Sequence, residues 1–418
     1  MSPSLPRIAI VGGGPAGLTT AVLLHKDSIP FTIFELRQKP TDEELAKPSG
    51  MLDLHEESGI AALRECGLFD DFQKLTGECT EAQKVADKDG NILYRDEGEK
   101  SERPEISRHN LTKLLISHIP AAQITWGRKL LAATSSITAS RHTEIELDFG
   151  PHGKQTFDLV IGADGAWSSV RKLLTGVKPR YEGRQNITLT IREVTKKYPH
   201  LSDLVGTGTF ASLGGRHGVM SQRGPQDSAR IYIFLTIDEE NFATKSGLAS
   251  QTATAAKERI LSDSALIGAW GPVIKELVTV ACKEETGDNP GAMVDIKPLY
   301  VLPVDNAWEH RTGATIIGDA SHLMGPWAGE GVNLAMWDSL LLAHAIVKAH
   351  ETAGKDATAF QRALDPLVKE FEVDMAARSK EKAEESKKNG ETMFGEDGAK
   401  AFVEFFNIHG PPAEQAAI

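Results

Sequence analysis

Cysteine is scarce in this chain. Its 418 residues hold three (Cys66, Cys79, Cys282), and none forms a Cys-x-x-Cys pair. That excludes a disulfide framework, a dithiol redox centre and a cysteine-rich zinc site, and it fits a reducing compartment. No His-x-x-x-His spacing occurs and nothing resembles a catalytic triad, so neither a metal nor a nucleophilic side chain is expected to carry chemistry. No apolar run reaches the roughly 18 residues of a membrane span, and no charged-then-apolar leader precedes the first β-rich run. The expectation is a cytoplasmic protein with no integral membrane segment. Basic residues are outnumbered, 46 Lys+Arg against 58 Asp+Glu, for a net charge of −12. That balance argues against a nucleic-acid partner, which needs a basic face. What is present, 40 % apolar and 25 % charged residues, is ordinary globular composition, long enough for two or three domains.

The first positive signal lies near the start. Arg7-Ile8-Ala9-Ile10-Val11 is a short β-rich run that meets Gly12-Gly13-Gly14-Pro15-Ala16-Gly17 directly. Residues 18–24 then read as helix and residues 30–35 as a second buried strand. Strand, glycine turn, helix and strand make a βαβ unit, which implies a parallel sheet. Residues 157–161, running into Gly162-Ala163-Asp164-Gly165, and residues 314–317, running into Gly318-Asp319, are continuous apolar runs. Such runs suit strands covered on both faces. Between them the texture changes. Residues 188–192 and 230–236 alternate like half-buried antiparallel strands, with helices predicted near 251–261 and 264–281. After residue 356 the pattern is helical through Phe360, Leu364, Phe371 and Met375, then charged from Arg378 to Glu391, a solvated helix face. The predicted fold is α/β. A Rossmann-like nucleotide domain around a central parallel sheet (1–177 and 296–355) is interrupted by an inserted mixed or antiparallel β-sheet domain (178–295). A C-terminal helical region (356–418) follows.

Three motifs carry chemistry. In Gly12-x-Gly14-x-x-Gly17 the first glycine makes the tight turn, the second lets the backbone approach a pyrophosphate, and the third allows close helix–strand packing beside Ala16. The helix starting there offers free N–H groups and a positive end. Glu35 closes the next strand, where an acid accepts ribose hydroxyls and repels a 2′-phosphate. The second motif, Asp164-Gly165-Ala166-Trp167-Ser168-Ser169-Val170-Arg171, reads on its own equally as a turn that opens a helix. The third runs from Gly318-Asp319 through Ser321, His322, Pro326, Trp327, Gly329, Glu330 and Gly331 to Asn333. Asp319 ends a strand and can accept the hydroxyls of a polyol. Gly329 and Gly331 open a helix predicted over 333–349, whose N–H groups favour negative charge on a ring edge.

In this order the three motifs resemble the single-component FAD-dependent aromatic hydroxylases of the para-hydroxybenzoate hydroxylase type. Within that group, Ser49-Gly50-Met51-Leu52-Asp53-Leu54-His55, Pro104-Glu105-Ile106-Ser107-Arg108 and Thr125-Trp126-Gly127-Arg128-Lys129-Leu130 resemble the tetracycline-inactivating flavin monooxygenases. The resemblance implies FAD contacts at Asp53 and Arg108 beside Gly12, Gly14, Ala16, Gly17, Glu35, Asp164, Asp319, Gly329, Gly331 and Asn333. The chain departs from the pattern at Ser321, where the family usually has Ala, and at Glu330, where it usually has Gln. A common basic position is Leu36, with Arg37 one place on. A carboxylate at Glu330 opposes an anionic flavin unless it points outward.

The resemblance also implies the reaction. NADPH or NADH reduces bound FAD, O2 forms a flavin C4a-hydroperoxide, and one oxygen passes to an electron-rich carbon. The flavin carries this chemistry, so no catalytic side chain is expected, and His322 reads as a turn residue. Only one dinucleotide fingerprint occurs, so the nicotinamide cofactor binds transiently, with Lys47 and Arg37 as candidate contacts. The substrate, a planar polycyclic molecule such as a tetracycline or a related polyketide, would lie between flavin and inserted sheet. Thr188, Thr190, Pro326 and Trp327 are its candidate contacts, with Trp327 open to stacking or to the core. A monomer is expected. Two alternatives stand: an FAD hydroxylase of another phenolic or polyketide substrate, and a non-enzymatic binding protein on the same fold. A flavin halogenase would carry Trp-x-Trp-x-Ile-Pro, which is absent.

Overall fold

The computed structural model describes residues 5–77, 79–98, 104–139 and 141–409, so the end of the predicted C-terminal region lies outside the described residues. The apolar runs form a five-stranded, all-parallel sheet. Ile8–Val11 lies at its centre between Thr32–Glu35 and Leu159–Gly162, with Ile124–Trp126 and Ala314–Ile316 at the edges. All residues of Ile8–Val11 and Leu159–Gly162 are buried, as strands covered on both faces require. The pleat divides them. Ile8, Ile10, Ile33 and Ile161 pack under the helices Pro15–Lys26, Arg108–Ser117, Gly331–Ala353 and Ala357–Met393. Val11, Phe34 and Val160 face the other way, toward a three-stranded antiparallel sheet of Ala132–Ile137, Thr143–Asp148 and Lys154–Phe157. Phe34 meets Phe149 there with ring centres 4.5 Å apart.

A second sheet has seven strands, in the order Asp295–Val301, Arg180–Ile191, Ser228–Thr236, His217–Gly224, Thr209–Gly214, Gln83–Asp87 and Ile92–Asp96. The hairpin Gln83–Asp87/Ile92–Asp96 and nearly all of Asp295–Val301 come from outside the 178–295 segment. Gln83–Asp87 joins by a parallel pairing with Thr209–Gly214, and a partner so distant leaves no local trace in the sequence. One sheet face, with Ile187, Leu189, Ile191, Ile231, Ile233 and Leu235, packs on the helices Ala253–Ser262 and Pro272–Asp288. The second of these starts later than predicted. Pro272 fits the first helical position, where its missing N–H costs nothing, and Gly271 caps the turn before it.

The alternate residues of the seven-stranded sheet face the parallel-sheet half of the molecule. Their apolar members, Val85, Tyr94, Ala211, Leu213 and Phe234, pack with Phe394 and the last helix, Gly398–His409. The charged stretch after Arg378 continues the helix Ala357–Met393 and is not wholly solvated. Ser379, Ser386 and Gly390 on one of its edges are buried. No helix among the described residues is long and apolar enough to cross a membrane.

Candidate active site

The glycine loop assigns its three glycines different work. A Cβ on Gly12 (φ +112°) would stand 2.1 Å from the Ala163 carbonyl oxygen, and one on Gly17 would stand 2.0 Å from the Gly12 carbonyl oxygen. Both are needed for the loop to close on itself and on the next motif. Gly14 differs: a Cβ there would meet nothing within 4 Å. It precedes the helix Pro15–Lys26, whose first turn, with N–H groups beginning at Ala16, has no side-chain cap. Glu35 braces this loop, accepting from the Gly13 N–H (2.6 Å) and the Arg37 N–H (2.8 Å).

The three motifs converge through small residues. Gly318 sits against Ala16 and Ala335, where a Cβ would be 3.3 and 3.2 Å from theirs. Ser339 donates to the Ala16 carbonyl (2.8 Å), fastening the third motif's helix to the first motif's. Asp319 ends the Ala314–Ile316 strand exposed, and its carboxylate has no hydrogen-bond or ion-pair partner among the described residues. Arg108 is exposed and equally free at its side chain, while its backbone N–H donates to the Gly50 carbonyl (2.9 Å). Asp164 is engaged: it accepts from the Ser168 hydroxyl and from the N–H groups of Ser169 (2.6 Å) and Val170 (3.3 Å). Burial pushes its carboxyl upward against those bonds. It therefore shapes the turn beside Gly12.

The 329–331 loop is fixed from three directions. Asn333 is fully buried. Its Oδ1 accepts from the His55 N–H (2.9 Å) and its Nδ2 donates to the carbonyls of Asp53 (3.0 Å) and Gly329 (3.3 Å). The side chain of Asn333, expected among the cofactor contacts, joins the Met51–Asp53 strand to the loop. The Asp53 carboxylate lies 3.3 Å from where a Gly329 Cβ would be. Glu330 is buried and does not cap its own helix; its Oε1 lies 2.6 Å from Lys382 Nζ and its Oε2 3.5 Å from His55 Nδ1. Burial disfavours its charge, but the bonds from His55 and Lys382 hold it below the usual carboxylate range. His55, bonded to Asp53 (3.2 Å) and Glu330, is pushed up to about 9. Gly331 then opens a 23-residue helix without a side-chain cap.

The seven-stranded sheet meets this track at Tyr232. A Cβ on Gly50 would stand 2.6 Å from the Tyr232 hydroxyl oxygen and 3.7 Å from Arg108 Nε. On the same sheet face, Arg230 lies beside Tyr232 and donates to the Thr190 hydroxyl. No carboxylate pairs with Arg230 among the described residues, and its Nε is buried without a partner there. Gln222 lies 3.5 Å from the Tyr232 hydroxyl, and Thr188 is one pleat from Thr190 and directly opposite Tyr232. Sequence reasoning found the threonines but missed Arg230, Tyr232 and Gln222. The alternation of residues 230–236 was the available signal, because it places Arg230 and Tyr232 on the face opposite the isoleucines.

Trp327 is not an open platform. It is 8 % exposed, edge-on to Phe234 (4.9 Å) and Phe394 (4.7 Å), with its N–H donated to Glu182 (2.7 Å). Gly390 and Gly325 make room for it, since a Cβ on either would stand 2.6 and 2.4 Å from the indole. This corrects the substrate-stacking expectation: the ring packs helix against sheet. Pro326 beside it is exposed. His322 is buried against Asp338 (2.6 Å), whose carboxylate also accepts from the Gly318 N–H (3.1 Å), so it supports the turn before Asp319. Ser321 donates to the Gly318 carbonyl (3.0 Å), which satisfies the hydroxyl that replaces the family's alanine. Lys47 and Arg37 are both exposed, on separate segments.

Comparison with known proteins agrees with this geometry. The model of the family described as "FAD binding domain" matches residues 6–270 and 307–359. This chain belongs to that family. It is 35 % identical to "Monooxygenase penA" of Penicillium thymicola over 94 % of this chain and 96 % of that protein. It is 32 % identical to "Monooxygenase asqM" of Emericella nidulans over 95 % and 97 %. Family and relatives make it an FAD-dependent monooxygenase. The solved structure of tetracycline destructase Tet(55) superposes with a TM-score of 0.66, covering 98 % of this chain and 96 % of that one at 17 % identity, a likeness of fold. The residues fit the cofactor. Gly14 leaves room for a backbone approach, two helix N-termini are uncapped, and Asp319 and Arg108 are free acid and free cation on one track.

Proposed function

We propose that the chain oxygenates a planar, electron-rich polycyclic substrate, using electrons from NADPH or NADH and one oxygen atom of O2, the other leaving as water. The observation that carries this reading is the junction of Tyr232, Gly50 and Arg108, where the polar part of the second sheet meets the FAD track. FAD, when bound, supplies the redox and oxygen-activating chemistry. The N–H groups of the first helical turn, from Ala16 onward, would receive the pyrophosphate, and Glu35 would offer its remaining lone pairs to the adenosine ribose. Asp319 takes ribityl hydroxyls and Arg108 lies on the same track as the cation. The uncapped N–H groups that open the Gly331–Ala353 helix would favour negative charge on the flavin ring. Asp53, beside Gly329, would lie next to that part of the cofactor.

Substrate recognition falls to Arg230, Tyr232, Gln222, Thr188 and Thr190. Burial raises the Tyr232 phenol, so it stays protonated and can donate to a substrate oxygen. Arg230, without a carboxylate partner, suits a carbonyl or enolate oxygen. Tetracyclines present such oxygens on fused rings, and the motif around Asp53 and His55 selects tetracycline as the first substrate to try. Lys47 and Arg37 remain candidates for transient nicotinamide contact. The deciding experiment is anaerobic reduction of the holoenzyme by NADPH and by NADH, with and without tetracycline, followed by aeration. The expected result is faster flavin bleaching with substrate and a product heavier by one oxygen atom. Unchanged tetracycline alongside oxidation of another phenolic polyketide moves the assignment to that substrate. A colourless protein that takes up no FAD overturns the enzyme reading.

A further inference from the structure

Glu330 poses an electrostatic problem that the fold answers from far away in the sequence. A carboxylate immediately before an uncapped helix can turn back onto the helix N–H groups, and its charge opposes any negative charge that approaches them. Here it does neither. Its Oε1 is drawn 2.6 Å from Lys382 on the helix Ala357–Met393, and its Oε2 faces buried His55 at 3.5 Å. The groups in contact are two acids, Asp53 and Glu330, and two bases, His55 and Lys382. Glu385, on the same helix as Lys382 and more exposed than these four, is a third acid 3.4 Å from the Lys382 ammonium. With His55 protonated the four inner charges cancel. Asn333 ties the loop to this group, donating to the carbonyls of Gly329 and Asp53 and accepting from the His55 N–H.

We propose that Lys382 is a positioning residue for the flavin site: by holding the buried Glu330 carboxylate off the helix terminus and cancelling its charge, it leaves the N–H groups that open the Gly331–Ala353 helix free to stabilise the electron-rich form of the ring. The long C-terminal helix thereby acts on the cofactor's redox behaviour without touching it. The inference rests on the flavin reading of the 329–331 loop. Removing Lys382 alone leaves one buried negative charge in excess, which disfavours added electron density. Removing Glu330 alone leaves one positive charge in excess, which favours it. Removing both restores the balance.

The test compares purified holoenzyme as wild type, Lys382→Met, Lys382→Arg, Glu330→Gln and the Lys382→Met/Glu330→Gln double variant. Each is titrated with FAD and equilibrated anaerobically with a reference dye. Lys382→Met is expected to lower the ratio of reduced to oxidised flavin about tenfold at a fixed dye ratio, equivalent to about −30 mV for a two-electron couple. Glu330→Gln should move the ratio the opposite way, while Lys382→Arg and the double variant stay near wild type. Equal ratios in wild type, Lys382→Met and Glu330→Gln, whatever their melting temperatures, overturn the proposal while leaving the flavin reading intact. A double variant displaced as far as Lys382→Met also overturns it, since the lysine would then act without Glu330. Wild type that binds no FAD overturns both.

Discussion

The two large sheets of this protein handle their ligands by different means. The parallel sheet presents main chain: open space at Gly14, two uncapped helix ends, and side chains such as Asn333 and Glu35 that brace the loops. The seven-stranded sheet presents side chains. Its inward face is divided between a polar part around Arg230 and Tyr232 and an apolar part sealed by Trp327, Phe394 and the last helix. Main-chain recognition tolerates few changes because it depends on closeness. Side-chain recognition can be rewritten one residue at a time, so the same cofactor track can serve many substrates.

The contrast can be broken most forcefully at Trp327. If it is core, Trp327→Ala should cost about 3–5 kcal/mol and lower the melting temperature of protein stripped of FAD. Unchanged melting with weakened substrate binding would return the indole to the substrate wall. Next come the glycines. Gly17→Ala forces a Cβ onto the Gly12 carbonyl and should destabilise the apoprotein by about 1–3 kcal/mol. Gly14→Ala should leave apoprotein melting within a degree or so yet weaken FAD about tenfold, roughly 1.4 kcal/mol, by crowding the pyrophosphate. Equal effects on the stripped protein from both substitutions would erase the distinction drawn between them.

Smaller effects sharpen the side-chain half. Tyr232→Phe removes one donor, worth about 0.5–1.5 kcal/mol, so substrate KM should rise several-fold while FAD titration is unchanged. A loss of FAD instead would place Tyr232 with the cofactor. The gentlest probe is pH. His55 is held well above its ordinary value by Asp53 and Glu330, at about 9. Its stabilisation is therefore complete below about pH 6.5 and is lost as pH rises through about 9. Melting curves across that window should fall more steeply for wild type than for His55→Gln, and parallel curves would remove His55 from the network.

Much of the first sheet was legible because its evidence is local. Gly12, Gly14 and Gly17 lie within six residues, with an apolar strand before and a helix after. The second sheet was legible only where alternation is local, at 188–192 and 230–236. The hairpin Gln83–Asp87/Ile92–Asp96 escaped because its partner comes much later in the chain. Trp327 could not be placed because its burial depends on Gly390, on a different helix. Glu330 was recognised as an anomaly, but the answer, Lys382, lay in a charged stretch whose sign alternation resembles any solvated helix. Local pattern finds loops and strand faces, whereas pairings between remote elements must be read from the folded chain.

The interleaving of the sheets also governs how the molecule is made. Ile8–Val11 sits in a sheet that also takes Ala314–Ile316, about three hundred residues later, and the hairpin of Gln83–Asp87 and Ile92–Asp96 has to await Thr209–Gly214. On a ribosome adding about 5–20 residues per second, apolar segments from the first quarter of the chain remain without their final neighbours for on the order of ten seconds or more. Neither half can finish as an independent domain during synthesis. The exposure of unpaired apolar segments during synthesis is thus set by topology rather than by the stability of the finished enzyme.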